Sequence, residues 1–267
     1  MSSTRSINTG TPQGTVISPF IFTLYTNDCT SKNDKQKIIK FSDDTAVVDL
    51  TESHQCFVDS VKEFSDWCEQ NFLELNVGKT KEMVVDFKTN RTDVGELQIN
   101  GQAVERVQEY KYLGTIVDNQ LKFEKNTEMI YKKCRQRMVI LYQLRSLMVS
   151  NRILMQCYHA FVESILAFSI VCLFGSLDRK NQKKLVRIEK QCRKIVGNNI
   201  HSLSDLYEAR FIQKALTIHK DPSHCLNNVM EILPSGRRFR SINSRTNRFR
   251  NTFFPTAIKL LNEKHYL

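Results

Sequence analysis

The sequence contains no Cys-x-x-Cys pair; its eight cysteines stand singly between Cys29 and Cys225. Finger-type zinc sites need paired ligands at short spacing, and a disulfide-stapled fold needs a regular cysteine framework. Neither is expected. No signal peptide opens the sequence, so the thiols are expected to be reduced and mostly buried in an intracellular protein. His219, His224 and Cys225 come nearest to a metal cluster, without a finger-type cysteine pair. Internal repeats and low-complexity blocks are lacking too, which sets aside repeat arrays and biased tails. One apolar run, residues 153–174, is about as long as a membrane span. Gln156, His159, Glu163 and Ser164 lie inside it, and ionisable groups are costly in a bilayer. A buried helix of a bundle is expected there, with no membrane partner.

What is present is a chain of 267 residues with 41% hydrophobic content and 16 phenylalanines, enough for a core in one large domain or two small ones. Charge is divided unevenly. Residues 1–120 carry 12 Lys+Arg against 18 Asp+Glu, a net −6, whereas residues 121–267 carry 27 against 10, a net +17. The second half is expected to meet a polyanion, and the first half is suited to binding a cation.

A Gly/Pro turn at the start leads into an apolar, aromatic helix-like run ending near Cys29. Residues 36–50 read as two strands, with Asp43 and Asp44 between them. Phe57, Val61, Phe64, Trp67 and Cys68 recur at helical spacing, which predicts an amphipathic helix over 53–72. Residues 81–87 read as a strand, and Asn100-Gly101 is a strong hairpin signal. Residues 110–118 close the β-rich part. Beyond 121 the pattern is helical. Ile130, Cys134, Met138, Leu141, Leu144 and Met148 form one apolar stripe, with Lys132, Lys133, Arg135 and Arg137 beside or opposite it. A second helix is predicted over 151–174. A third follows, with Leu185, Ile188, Cys192 and Ile195 on one face and Gly197 as its C-cap. In the tail, Arg237, Arg238, Arg240, Arg245, Arg248 and Arg250 alternate with Phe239, Phe249, Phe253 and Phe254. Arginine grips phosphate bidentately and aromatic rings stack on bases, so nucleic-acid contact is expected there.

Adjacent carboxylates repel each other, so Asp43 and Asp44 point to a positive partner. Nucleotidyl transfer uses such groups to hold two divalent ions. An Asp pair in a turn is weak evidence by itself, because Asp is a common turn residue. Its company is more specific. The order "GTPQGTVISP", "FSDD", "LELNVGKTKEM", "YKYLGTIVD" resembles the reverse transcriptases of non-LTR (LINE-type) retrotransposons, and the tail "LPSGRRFR" to "FFPTAIKLLN" is similar to the carboxyl end of such element-encoded proteins.

That resemblance implies an α+β chain: a partial right-hand polymerase palm over 1–119, a helical thumb over 120–200 and a basic tail over 201–267. It implies Asp43 and Asp44 as metal ligands for Mg²⁺ or Mn²⁺, Asp43 the more direct. Pro12, Gln13 and Gly14 would line the incoming nucleotide and template, glycine allowing close backbone approach. Lys79 would neutralise or protonate the leaving pyrophosphate, and Tyr112, Leu113 and Gly114 would form the primer grip. Ser42 stands where many relatives carry Ala. The expected partners are an RNA template and a DNA primer, or nucleic acid generally, with no zinc, haem or nucleotide cofactor. The family's first metal-binding strand, with a further Asp, and its finger motifs precede the Pro-Gln-Gly motif. The chain is therefore expected to be inactive alone, as a nucleic-acid-binding remnant or a polymerase completed by upstream sequence or another chain. The exposed sheet edge beside the Asp hairpin is expected to be open.

Residues from about 110 to 154 also resemble a short helical segment named after the amino end of AlkB-type tRNA-modifying oxygenase/methyltransferases. A 2-oxoglutarate oxygenase holds iron with His-x-Asp and a distant His, and none of His54, His159, His201, His219, His224 and His265 is expected to supply that pattern. No Gly-rich loop suited to a methyl donor is visible.

Overall fold

The computed structural model describes residues 15–31, 33, 35–50, 53–88, 94–197 and 200–264. The chain is α+β, with short local strands in its first half and helices through its second. It divides into two compact units, Met1–Val107 and Gln108–Leu267.

In the first unit, α1 (Ser18–Tyr25) carries Pro19 in its opening turn, where the missing N–H interrupts no helical bond. The helix buries no residue; Phe20, Ile21, Leu24 and Tyr25 are all exposed. Strands β1 (Gln36–Phe41) and β2 (Asp44–Asp49) pair antiparallel, from Gln36 opposite Asp49 to Phe41 opposite Asp44. Alternation gives the hairpin two faces. On the inner face, Gln36 accepts from the Ser31 hydroxyl at 2.9 Å. Lys40 on the same face donates to the carbonyls of Thr26, just past α1, and of Cys29. A cation thus meets the carbonyl end of α1, where the helix has unpaired acceptors. The outer face leaves Ile39, Phe41 and Val48 exposed.

Helix α2 (His54–Gln70) follows the predicted stripe. Its Val61 joins Leu97, Ile99 and Val104 in the small core of this unit, with Phe57, Val58, Leu75 and Val77 packed against them. The strand predicted over 81–87 stops after two residues: β3 (Lys81–Glu82) pairs in parallel with β6 (Glu105–Arg106) and has no longer partner. There the Arg106 side chain takes over from the ladder, donating to the buried Glu82 carboxylate at 2.8 Å and to the carbonyls of Val94 and Gly95. Between them, β4 (Gln98–Ile99) and β5 (Gln102–Ala103) form the Asn-Gly hairpin. Asn100 and Gly101 both have positive φ, 51° and 74°, as a type I′ turn requires.

The second unit opens with the hairpin of β7 (Glu109–Tyr112) and β8 (Thr115–Asp118). Asp118 then organises the turn into α3 (Glu124–Ser146): its carboxylate accepts backbone N–H bonds from Gln120, Lys122 and Phe123 at 2.6–3.1 Å. Asn126 of α3 accepts the Ile116 N–H at 3.0 Å, and Val117 packs on the helical core. The hairpin therefore belongs with the helices, although its sequence reads with the β-rich half.

Ile130, Cys134, Met138 and Leu141 of α3 are buried, as the stripe predicts. They pack with Leu185, Ile188, Cys192 and Ile195 of α7 (Arg179–Val196) in the main core. Met148 departs from the expected stripe: α3 has ended at Ser146, and Met148 is exposed. The Glu128–Lys184 ion pair near the starts of α3 and α7, and the Arg145 bonds to the Lys194 and Ile195 carbonyls near their ends, show both helices running in the same direction. Gly197 follows α7, its N–H donating to the Arg193 carbonyl at 2.9 Å.

The helix predicted over 151–174 is broken. It runs as α4 (Asn151–Tyr158), a π-turn at His159–Glu163, and α5 (Ser164–Ala167). Phe168 is extended and Ser169 left-handed before α6 (Ile170–Leu173) resumes. Tertiary contacts account for the break: the Ser169 and Thr115 hydroxyls are 3.0 Å apart, and the Phe168 ring lies against Gly114. By length and composition, Asn151–Ser176 is the one helical stretch among the described residues able to cross a membrane. Its Leu154, Tyr158, Val162, Leu166, Ile170 and Leu173 line the main core.

A second cluster of this unit joins Phe211, Ile212 and Ala215 of α8 (Leu203–Lys220) to Ala257, Ile258 and Leu261 of α10 (Phe253–Glu263). A four-residue helix, α9 (Asn247–Arg250), precedes α10. Phe239 closes the cluster, clamped by Asn262, which accepts its N–H at 2.8 Å and donates to its carbonyl at 3.0 Å.

Candidate functional site

Asp43 occupies the second position of the two-residue turn between β1 and β2, and Asp44 is the first residue of β2. Ser42 holds the turn with φ 54°. A small polar residue in the left-handed region costs less than a bulky one would. Both aspartates are exposed. Asp44 shares the outer face of the hairpin with Ile39, Phe41 and Val48, whereas Asp43 stands at its tip. These carboxylates supply hard oxygen donors of the type Mg²⁺ or Mn²⁺ takes. They fit part of a two-ion centre and do not complete one. Among the described residues no three His, Cys, Asp or Glu side chains converge closely enough to hold a metal ion.

Lys79 lies in an exposed turn after α2. Asn76 shapes that turn, its side chain and carbonyl both accepting the Lys79 N–H at 3.1 Å. No ion pair joins Lys79 to either aspartate among the described residues. Pro12, Gln13 and Gly14 lie outside the described residues.

Tyr112, Leu113 and Gly114 form the end of the β7–β8 hairpin, in the second unit. Leu113 and Gly114 both have positive φ, 45° and 86°, so this is again a turn of the type I′ kind. Gly114 suits its left-handed backbone conformation, and a Cβ there would also sit in tight contact, 3.3 Å from the Phe168 ring.

The predicted phosphate-binding residues divide into two groups. Lys132, Lys133, Arg135 and Arg137 are exposed on α3, Arg135 lying 6.0 Å from the centre of the Tyr131 ring. Arg237, Arg238, Arg240, Arg245, Arg248 and Arg250 are all exposed. Arg240 pairs with Glu231 at 3.1 Å, and Arg248 donates to the Gln120 carbonyl at 3.1 Å. The alternating phenylalanines behave differently from the arginines. Phe239 is buried, and Phe253 and Phe254 pack on the second cluster. Of the four, Phe249 alone is exposed and able to stack on a base. The sequence shows aromatic–basic alternation without showing which rings a core will claim.

The expectation that no histidine stands in a His-x-Asp pattern needs correcting: one such triplet occurs, at His219-Lys220-Asp221, outside the segment with the oxygenase resemblance. Its roles here are local. The Ser223 hydroxyl and N–H, at 2.6 and 3.0 Å, hold the Asp221 carboxyl below its ordinary pKa. His219 packs edge-on to Phe239. His224 accepts the Leu226 N–H through Nδ1, and Cys225 is exposed.

Residues 1–117 match the family described as reverse transcriptase (RNA-dependent DNA polymerase). That part of the chain is similar to the reverse transcriptases. The relatives place the chain more closely. It is 27% identical over 215 residues to the RNA-directed DNA polymerase from mobile element jockey of Drosophila funebris, covering 73% of this chain and 23% of that protein. It is 27% identical over 148 residues to the probable RNA-directed DNA polymerase from transposon BS of Drosophila melanogaster, covering 50% of this chain and 16% of that one. The probable RNA-directed DNA polymerase from transposon X-element, of the same fly, is 26% identical over 165 residues, covering 57% of this chain and 18% of its own length. The chain is thus related to reverse transcriptases of non-LTR retrotransposons, and it spans about a quarter of the length of the first of these curated relatives. No solved structure matches it significantly.

Proposed function

We propose that this chain is the part of an RNA-directed DNA polymerase that carries the aspartate hairpin of the palm, the primer grip and the thumb. The observation that carries this reading is the placement of Asp43 and Asp44 at the tip of a two-stranded hairpin, inside the segment matched to reverse transcriptases. Asp43, in the turn, is the direct ligand of Mg²⁺ or Mn²⁺, and Asp44 supports the same centre. Donors beyond these two come from other polymerase sequence or from another chain. The exposed apolar outer face of the hairpin and the unburied α1 supply the kind of surface that such sequence would cover. Pro12, Gln13 and Gly14 line the nucleotide, and Lys79 meets the pyrophosphate. Tyr112, Leu113 and Gly114 position the primer. The exposed cations of α3 and of the tail bind the template–primer through its phosphates. We assign the palm to 1–119, the thumb to 120–200 and the basic tail to 201–267, with the primer-grip hairpin at the end of the palm segment packing on the thumb helices.

The test is primer extension on an RNA template with Mg²⁺ or Mn²⁺. The chain is assayed alone and joined to the sequence that precedes the matching segment in the jockey relative. Extension by the joined protein that disappears in Asp43→Ala/Asp44→Ala supports the assignment. Extension that survives both substitutions refutes it. A folded, RNA-binding protein that never extends a primer leaves the binding part of the reading and removes the polymerase part.

A further inference from the structure

Helix α7 presents a face that the proposed function above does not use. Its inner side is spent on the core: Leu185, Ile188, Cys192, Ile195 and Val196 are buried there. The one acid within the helix, Glu189, is buried as well, accepting from Arg193 at 2.7 Å and from the Leu203 N–H at 3.1 Å. The opposite side repeats at three- and four-residue spacing: Lys180, Lys183, Arg187, Lys190 and Lys194, all exposed. At 100° per residue these five share one narrow stripe. Its length is about 21 Å, from a rise of ~1.5 Å per residue. None of the five forms an ion pair among the described residues, whereas Lys184 and Arg193, at the margins of the helix, pair with Glu128 and Glu189.

Five unpaired like charges on one helix face repel each other, and folding gains nothing from their alignment. Their spacing instead suits a linear polyanion. Along a duplex, one strand offers a phosphate every ~3.4 Å, so a 21 Å stripe runs beside about six phosphates. A membrane surface fits less well. An interfacial helix needs an apolar face free to enter the lipid, and the apolar face of α7 is already in the core.

We propose that the solvent face of α7 is a track for the phosphate backbone of nucleic acid, gripping it along the helix without reading its bases. This rests on the nucleic-acid-binding part of the function proposed above and extends it to a second helix. Binding there is electrostatic, so it falls steeply with salt, by a slope of about 0.7 in log K against log salt for each phosphate neutralised on a single strand and about 0.9 on a duplex.

The test uses the full chain, a labelled single-stranded RNA and an RNA–DNA hybrid, titrated between low and physiological salt. Two variants are compared: Lys183→Gln/Arg187→Gln/Lys190→Gln/Lys194→Gln on α7, and Lys132→Gln/Lys133→Gln/Arg135→Gln/Arg137→Gln on α3. Glutamine keeps helix propensity, and circular dichroism with thermal unfolding confirms that each variant folds. Loss of about 3 in the salt slope on single-stranded RNA for the α7 variant, with that share retained in the α3 variant, supports the track. An α7 variant that binds like the parent while the α3 variant loses binding overturns the track and leaves the function proposed above intact. A parent chain that binds neither probe overturns both. Binding to phosphatidylserine vesicles that depends on α7, without RNA binding, assigns the face to lipid and overturns the proposal.

Discussion

Replacing Glu189 with leucine should destabilise the chain by about 2 kcal/mol, and the reason lies in what its carboxylate holds. Glu189 is 5% exposed and accepts two bonds, one from Arg193 within α7 and one from the Leu203 N–H that opens α8. Leucine removes both acceptors. The Leu203 N–H is left unpaired in a buried position, at a cost of ~1–3 kcal/mol. The Arg193 side chain is 34% exposed and recovers water, so its share is discounted to a few tenths or about 1 kcal/mol. Burying leucine in place of glutamate returns about 1 kcal/mol. Glutamine should cost less, about 1 kcal/mol, because its carbonyl still accepts from Leu203. Urea unfolding of the parent, Glu189→Gln, Glu189→Leu, Arg193→Ala and the Glu189→Leu/Arg193→Ala pair measures this as shifts in midpoint at constant slope. A Glu189→Leu variant as stable as the parent would refute the reasoning. So would a cycle assigning the whole loss to Arg193, since that would make the α7–α8 tie irrelevant.

Other consequences are open to direct measurement. Burial pushes the Cys134 and Cys192 thiols, neighbours in the α3–α7 core, from 9.0 up to about 12. Both states keep these protons below pH 9. Between about 9 and 12 only the unfolded chain releases them, so stability should fall as pH rises, by up to ~1.4 kcal/mol per unit for each thiol. Cys134→Ala/Cys192→Ala should flatten that decline in a pH series of urea melts; an unchanged slope would contradict the assignment. In the folded chain at pH 8, iodoacetamide should modify exposed Cys56 and Cys225 before Cys134 and Cys192, as peptide mass spectrometry would read. Gly114→Ala should cost about 1–2 kcal/mol from its left-handed backbone and the Phe168 contact. Leu113→Asn, which tolerates the same backbone region, should be neutral or stabilising in the same melts. Asp118→Ala removes the carboxylate that accepts from three N–H groups and should lower stability by about 2 kcal/mol, with Asp118→Asn retaining part of it.

Where local chemistry decides structure, the sequence was readable. The α7 stripe, the Asn100-Gly101 turn and the strands around Asp43 and Asp44 all follow from period or turn residues. Where a distant partner decides, it was not. Nothing within residues 151–174 announces a break at Phe168 and Ser169, because the β7–β8 hairpin supplies the hydroxyl and the glycine that hold it. Residues 81–87 have strand composition, yet β6 offers only a two-residue partner. The tail arginines were legible as exposed charge, but the burial of Phe239 depends on Asn262, 23 positions later. The aspartate pair was legible through the order of neighbouring motifs. The structure puts the pair at a hairpin tip and, among the described residues, brings no group of three His, Cys, Asp or Glu side chains together there.

The most direct test of the central claim, that Asp43 and Asp44 are part of a polymerase metal centre, is a Mn²⁺ titration followed by the electron paramagnetic resonance signal of free Mn²⁺. The chain alone should bind weakly. The chain joined to the jockey-type sequence preceding the matched segment should bind more tightly, and Asp43→Ala/Asp44→Ala should abolish the gain. Tight binding that persists in the doubly substituted joined protein would place the ion elsewhere and contradict the account.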